Sequence, residues 1–185
     1  AREAEALGAW VVHYSTDYVF DGRGNRPYRE EDPTAPLGVY GASKLAGEQA
    51  VAASGARHLV LRTAWVYASH GHNFMRTMLR LARERDELRV VADQVGTPTP
   101  AALIADATAQ VLARPFDGSG IRHLTASGET SWHGFASAII ARAVELGLVE
   151  RAPKVLPIST ADYPTPAPRP SYSRLDCARL EREFA

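Results

Sequence analysis

Trp10-Val-Val-His-Tyr14, running directly into Ser15-Thr16-Asp17, decides how the rest of the chain is read. The first five residues are mostly apolar, β-branched or aromatic, the composition of a buried strand. The next three are small and polar. Hydroxyls and a carboxylate at the exit of a buried strand stand where open α/β sheets hold their ligands, outside the carboxyl ends of the strands.

Working outward, Ala1-Arg-Glu-Ala-Glu-Ala-Leu7 is built of strong helix formers, and Gly8 is placed to end it. Downstream, a polar segment with Gly24, Pro27, Pro33 and Pro36 leads to a helix opening near Tyr40. Its Ala42, Leu45, Ala46, Ala50 and Ala53 recur at helical spacing and are the predicted buried stripe, with Gly41, Lys44 and Glu48 beside it. After Gly55, the apolar stretch 58–67 is the next strand. Asn73 caps a helix carrying Met75, Met78, Leu79 and Ala82, and 88–92 is a further short strand. Strand, helix, strand, helix, strand implies βαβ units and a parallel sheet covered on both faces. The fold class expected is α/β, doubly wound.

Beyond this, 93–100 reads as a turn-rich loop, and Pro100 suits a helix start. Two more helices follow, one carrying Ile104, Ala107, Thr108, Val111 and Leu112, the other capped by Thr130 or Ser131 and burying Ala136, Ile139, Ile140, Ala143 and Val144. A short strand at 121–125 lies between them. Residues 153–170 are proline-rich and expected to be irregular, and 175–184 is a terminal helix.

Composition narrows the function classes. The 185 residues are 45% hydrophobic and 23% charged, enough for one core. Lysine plus arginine equals aspartate plus glutamate at 21 each, so no global field recruits nucleic acid or an anionic membrane. Cys177 is the single cysteine, which excludes an internal disulfide or a multi-cysteine metal site. No apolar run approaches the roughly 20 residues that span a bilayer, and the first residues lack a secretory pattern. A cytoplasmic address is expected.

Tyr40-Gly-Ala-Ser-Lys44 places a phenol and an ammonium four residues apart. On a helix they share a face, with Cβ atoms roughly 5–6 Å apart. A free phenol has a pKa near 10, too high for proton transfer at neutrality, but a fixed cation favours the phenolate. Lowering it by about three units takes on the order of 4 kcal/mol, about what one charge supplies at ~4 Å in an effective dielectric near 20. With Thr16 at the strand exit, the hydroxyl, phenol and ammonium form a set that reduces a carbonyl: Thr16 orients the oxygen, Tyr40 protonates it and Lys44 tunes Tyr40. The hydride must come from a cofactor, because no side chain supplies one.

Five stretches carry a resemblance: Ser-Thr-Asp-Tyr-Val-Phe-Asp-Gly from Ser15, the Tyr40 and Lys44 pair, Arg62-Thr-Ala-Trp-Val-Tyr67, Asp93-Gln-x-Gly-x-Pro-Thr99, and Arg169-Pro-x-x-Ser-x-Leu175. Together they resemble the dTDP-4-dehydrorhamnose reductase family of extended short-chain dehydrogenase/reductases. The resemblance implies reduction by NADPH or NADH of the 4-keto group of dTDP-4-dehydro-6-deoxy-L-mannose, giving dTDP-L-rhamnose. It implies catalytic roles for Thr16, Tyr40 and Lys44, with Tyr40 and Lys44 also holding the cofactor. Thr16, Asp17, Trp65, Asp93, Gln94, Thr99 and Arg169 are implied on the substrate side. An arginine suits a diphosphate because its planar fork pairs two oxygens. Magnesium is associated with some members, but no carboxylate spacing locates it here.

Two departures stand out. Ala68 replaces a glycine usual after Trp-Val-Tyr, and no glycine-rich phosphate loop is present, since Gly22-Arg-Gly24 is followed by Asn-Arg-Pro and no helix. The expectation is therefore a C-terminal part of a reductase, inactive alone: a partial Rossmann-like core with Tyr40 and Lys44 in 1–92, and a substrate-binding region in 93–185 interleaved with the last core elements. A complementary N-terminal half or a homodimer would be its partner. Alternatives are a sugar-nucleotide epimerase or dehydratase, against which Tyr18 stands where dehydratases carry an acid, and a non-catalytic regulatory subunit. His70 and His72 lack a third ligand, Cys177 reads as packed, and Trp10 and Trp132 read as core.

Overall fold

The computed structural model describes residues 1–114 and 118–184. Its central sheet has three parallel strands in the order β1 (Val11–Thr16), β2 (His58–Thr63), β7 (Gly120–His123). Val11 pairs with His58 and Thr16 with Thr63, so the two strands end level with each other. All six residues of β2 are buried, and their alternation sends them to opposite layers. Leu59 and Leu61 pack with Ile104 and Val111 of α4 (Ala101–Leu112) and Leu180 of α6 (Ala178–Phe184). Arg62 points the other way, to α2 (Val39–Ala52). Helices thus cover both faces, as the alternation of elements implied. Truncating Leu59 or Leu61 to alanine costs about 2–5 kcal/mol on general grounds.

The predicted stripe of α2 is the first correction. Ala42, Ala46 and Ala50 are exposed, and the buried positions are Gly41 and Glu48. A Cβ on Gly41 would stand 2.2 Å from the Tyr18 carbonyl oxygen, so glycine lets the helix start close against the 3-10 turn Asp17–Val19. Glu48 accepts two bonds from Arg62, 2.9 Å from Nε and 2.7 Å from Nη2, and both side chains are almost fully buried. The helix is seated by an ion pair rather than by its alanines.

A second point concerns β1, which among the described residues stands at the edge of the sheet, with Tyr14 42% exposed. The third concerns β4 (Glu87–Val91), which does not join the central sheet. It pairs in parallel with β9 (Lys154–Ile158), inside the stretch expected to be irregular. Pro157 is tolerated there because β9 is itself an edge. This second layer is closed by α3 (Phe74–Glu84) against α5 (Trp132–Glu145), through Met78, Ala82, Leu88, Val90, Ala136, Ile140 and Ala143. Asn73 and Ser131 cap the two helices as read from the sequence, accepting from Arg76 N–H and Gly134 N–H. The turn-rich loop at 93–100 contains two short strands, β5 (Val95–Gly96) and β6 (Thr99–Pro100). They pair with β8 (Thr130–Ser131) and β3 (Val66–Tyr67).

Candidate active site

The exits of β1 and β2, the start of α2 and the segment 167–170 enclose a cleft of about 470 Å³. Of the residues singled out in the sequence, Thr16, Asp17, Tyr40, Trp65 and Arg169 line it. Lys44, Asp93, Gln94 and Thr99 do not.

At the floor, Thr16 Oγ1 donates to Asp17 Oδ1 over 2.9 Å and accepts from Tyr18 N–H over 3.2 Å. Its proton is therefore directed at Asp17, not at the cleft. Burial pushes the Asp17 carboxyl up to about 6, with the Ser173 and Thr16 hydroxyls partly opposing the rise. Asp17 Oδ2 makes no bond of ordinary hydrogen-bonding geometry, and the buried hydroxyls of Ser15 and Thr63, which also line the cleft, are unpartnered too. Unpaired buried polar atoms are costly and rare. Two unpartnered hydroxyls beside a buried carboxyl fit a polar ligand.

Tyr40 stands at the mouth, 58% exposed. Its ring meets Tyr18 edge to face, 6.0 Å between centroids at 83°. Burial, then the charge of Asp17, pushes the Tyr18 phenol up to about 12, which keeps it protonated. Lys44 sits one turn along α2, and its Nζ donates to the Tyr14 carbonyl over 2.5 Å. That bond uses one of three ammonium protons and leaves donors at the open edge of β1, a fit for ribose hydroxyls.

The opposite wall is aromatic. Trp65 and Trp132 stack with centroids 3.6 Å apart and planes within 3°. Trp65 has φ of 48°, the one left-handed non-glycine among the described residues. Such strain costs on the order of 1–3 kcal/mol and persists only where the surroundings impose it. They do so here. A Cβ on Gly96 would stand 2.5 Å from the Trp65 ring, and Thr99 N–H donates to the Trp65 carbonyl over 3.2 Å. Thr99 thus serves the wall from a fully buried position. Arg169 reaches the cleft because Pro170 wedges onto Gly22, whose φ of 71° and missing side chain admit it.

All 185 residues match the family described as RmlD substrate binding domain. The chain belongs to that family. It is 50% identical over 188 residues to dTDP-4-dehydrorhamnose reductase of Shigella flexneri, covering 100% of this chain and 63% of the relative. The same enzyme of Escherichia coli K12 is 50% identical over 189 residues, again with 63% of its length covered. The crystal structure of dTDP-4-dehydrorhamnose reductase from Bacillus anthracis in complex with NADP superposes with a TM-score of 0.89 at 37% identity, over 97% of this chain and 61% of that one. The chain thus spans a little less than two thirds of these relatives.

Within this member of the family, sequence reasoning assigned no site role to Thr63 or Trp132 and named Ser15 only within the polar exit of β1. Trp132, read as core, is half of the aromatic wall, and Ser15 and Thr63 supply the unpartnered hydroxyls. Thr63 could have been found, since it ends the second buried strand as Thr16 ends the first. Trp132 could not, because its partner lies 67 positions earlier in the sequence. Among the described residues, no group of three or more His, Cys, Asp or Glu is arranged to hold a metal ion, and no helix is long and apolar enough to cross a membrane.

Proposed function

We propose that this chain carries the proton donor and substrate wall of an NADPH-dependent reductase acting on the 4-keto group of a dTDP-6-deoxy-hexulose, giving dTDP-L-rhamnose. The observation that carries the reading is the meeting of Thr16, Tyr40, Trp65 and Arg169 around one cleft with unpartnered hydroxyls at its floor. The names of the 50%-identical relatives supply the substrate class, and the NADP in the Bacillus anthracis structure supports NADPH over NADH.

The carbonyl oxygen lies toward Tyr40 and Thr16. Tyr40 Oη gives that oxygen its proton, and the remaining ammonium donors of Lys44 would hold the cofactor ribose. Thr16 has to turn its hydroxyl from Asp17 to the substrate, and a carboxyl with pKa near 6 makes that exchange accessible near neutrality. A bound dihydronicotinamide supplies the hydride. Arg169 pairs with the diphosphate at the mouth.

Loss of NADPH absorbance in the presence of dTDP-4-dehydrorhamnose, measured on the whole protein that carries this chain, tests the reading. In Tyr40→Phe, turnover is expected to fall by about 10²–10⁴, the usual worth of a positioned acid, while NADPH binding stays within about two-fold. A phenylalanine variant that retains most of the turnover removes Tyr40 from the chemistry.

A further inference from the structure

Gln94 is buried, does not line the cleft, and uses both ends of its amide. Its Oε1 accepts from Trp132 Nε1 over 3.2 Å, and its Nε2 donates to Thr160 Oγ1 over 3.0 Å. The direction is forced. An indole N–H only donates, so the amide oxygen must face Trp132. Thr160 Oγ1 donates its own proton to Asp93 Oδ1 over 2.7 Å, so toward Gln94 it can only accept. Asp93 also accepts from Thr160 N–H with both oxygens at 2.9 Å, and Thr160, first by its hydroxyl and then by its amide, holds that carboxyl below the usual range.

The result is a one-way chain of bonds that starts on the aromatic wall at Trp132 and runs through Gln94 and Thr160 to Asp93. Trp132 is pressed flat on the strained Trp65 and backed by Phe74 at 4.7 Å. Packing alone lets a stacked indole slide in its plane; a hydrogen bond from its one polar atom stops the slide. We propose that Gln94 is a positioning residue of the substrate site: with Thr160 and Asp93 it fixes the Trp132 indole, and through the stack it sets Trp65 against the nucleotide sugar. The last step rests on the reading of the cleft given above. Asp93 and Gln94 thus serve the substrate without touching it.

The test uses the whole protein that carries this chain, with Trp10 and any tryptophan outside these 185 residues replaced by Phe so that emission reports Trp65 and Trp132, and thymidine 5′-diphosphate as the probe. Gln94→Leu and Thr160→Val, the second at an exposed site outside the core, are each expected to change the emission intensity and raise the Kd for dTDP about ten-fold. Thr160→Ser is expected to restore both. In turnover assays KM rises in step while kcat stays within two-fold. Unchanged emission in both variants overturns the inference, and so does changed emission with an unchanged Kd. If the unsubstituted protein binds no dTDP, the reading of the cleft fails instead, and the emission still decides whether Gln94 sets the stack.

Discussion

Two buried titratable residues, Asp17 at the cleft floor and His123 at the end of β7, make stability depend on pH in opposite directions. Asp17 has its pKa raised to about 6 in the folded chain, so the unfolded chain ionises first as pH rises. Its contribution is favourable at low pH and is lost between about 4 and 6, a change of about 3 kcal/mol at most. His123 is fully buried, and burial followed by the nearby Arg62 cation pushes it down to about 3. Its contribution is present above about 6.5 and is lost as pH falls. Denaturant unfolding at pH 4 and pH 7 separates them. Asp17→Asn is expected to gain on the wild-type protein as pH rises over that window, whereas His123→Leu gains as pH falls. A wild-type to Asp17→Asn difference that is the same at both pH values contradicts the burial argument.

At the scale of elements, α2 depends on one ion pair and the cleft depends on one tail. Removing a single partner from a buried pair leaves an uncompensated charge, so Glu48→Ala is expected to cost about 3–5 kcal/mol. In a chain of this length that is a fall in Tm of roughly 10 °C by calorimetry. The double variant Glu48→Leu with Arg62→Met is expected to recover most of it, since apolar replacements remove both desolvation penalties. A single variant within 1 kcal/mol of wild type would mean the pair is not what seats the helix. For the tail, Gly22→Ala puts a methyl 2.2 Å from Pro170 Cβ at a φ of 71°. Release of the 163–170 segment is the expected consequence, read as faster subtilisin cleavage there with the remainder protected, and as weaker dTDP binding through the loss of Arg169. Equal cleavage rates would show that another contact holds the tail.

At the scale of the molecule, two layers meet at the cleft. The central sheet contributes Thr16 and Thr63 at level strand ends, and the layer of β4, β9, α3 and α5 contributes Trp132. The parallel alternation, the caps at Asn73 and Ser131, and the polar exit of β1 were legible in the sequence, because each is a local consequence of residue type and spacing. So were the phenol and ammonium of Tyr40 and Lys44. Which face of α2 is buried was not legible, since alanines at helical spacing look like a core stripe and only the distant Arg62 makes Glu48 the inward residue. The pairing of β4 with β9, the strain at Trp65 and the placing of Trp132 and Gln94 likewise depend on contacts between residues far apart in the chain. Residue chemistry and local periodicity determined which hydroxyl, phenol and ammonium this chain offers as candidates for the site. Long-range packing alone decided which side chains close the site around it.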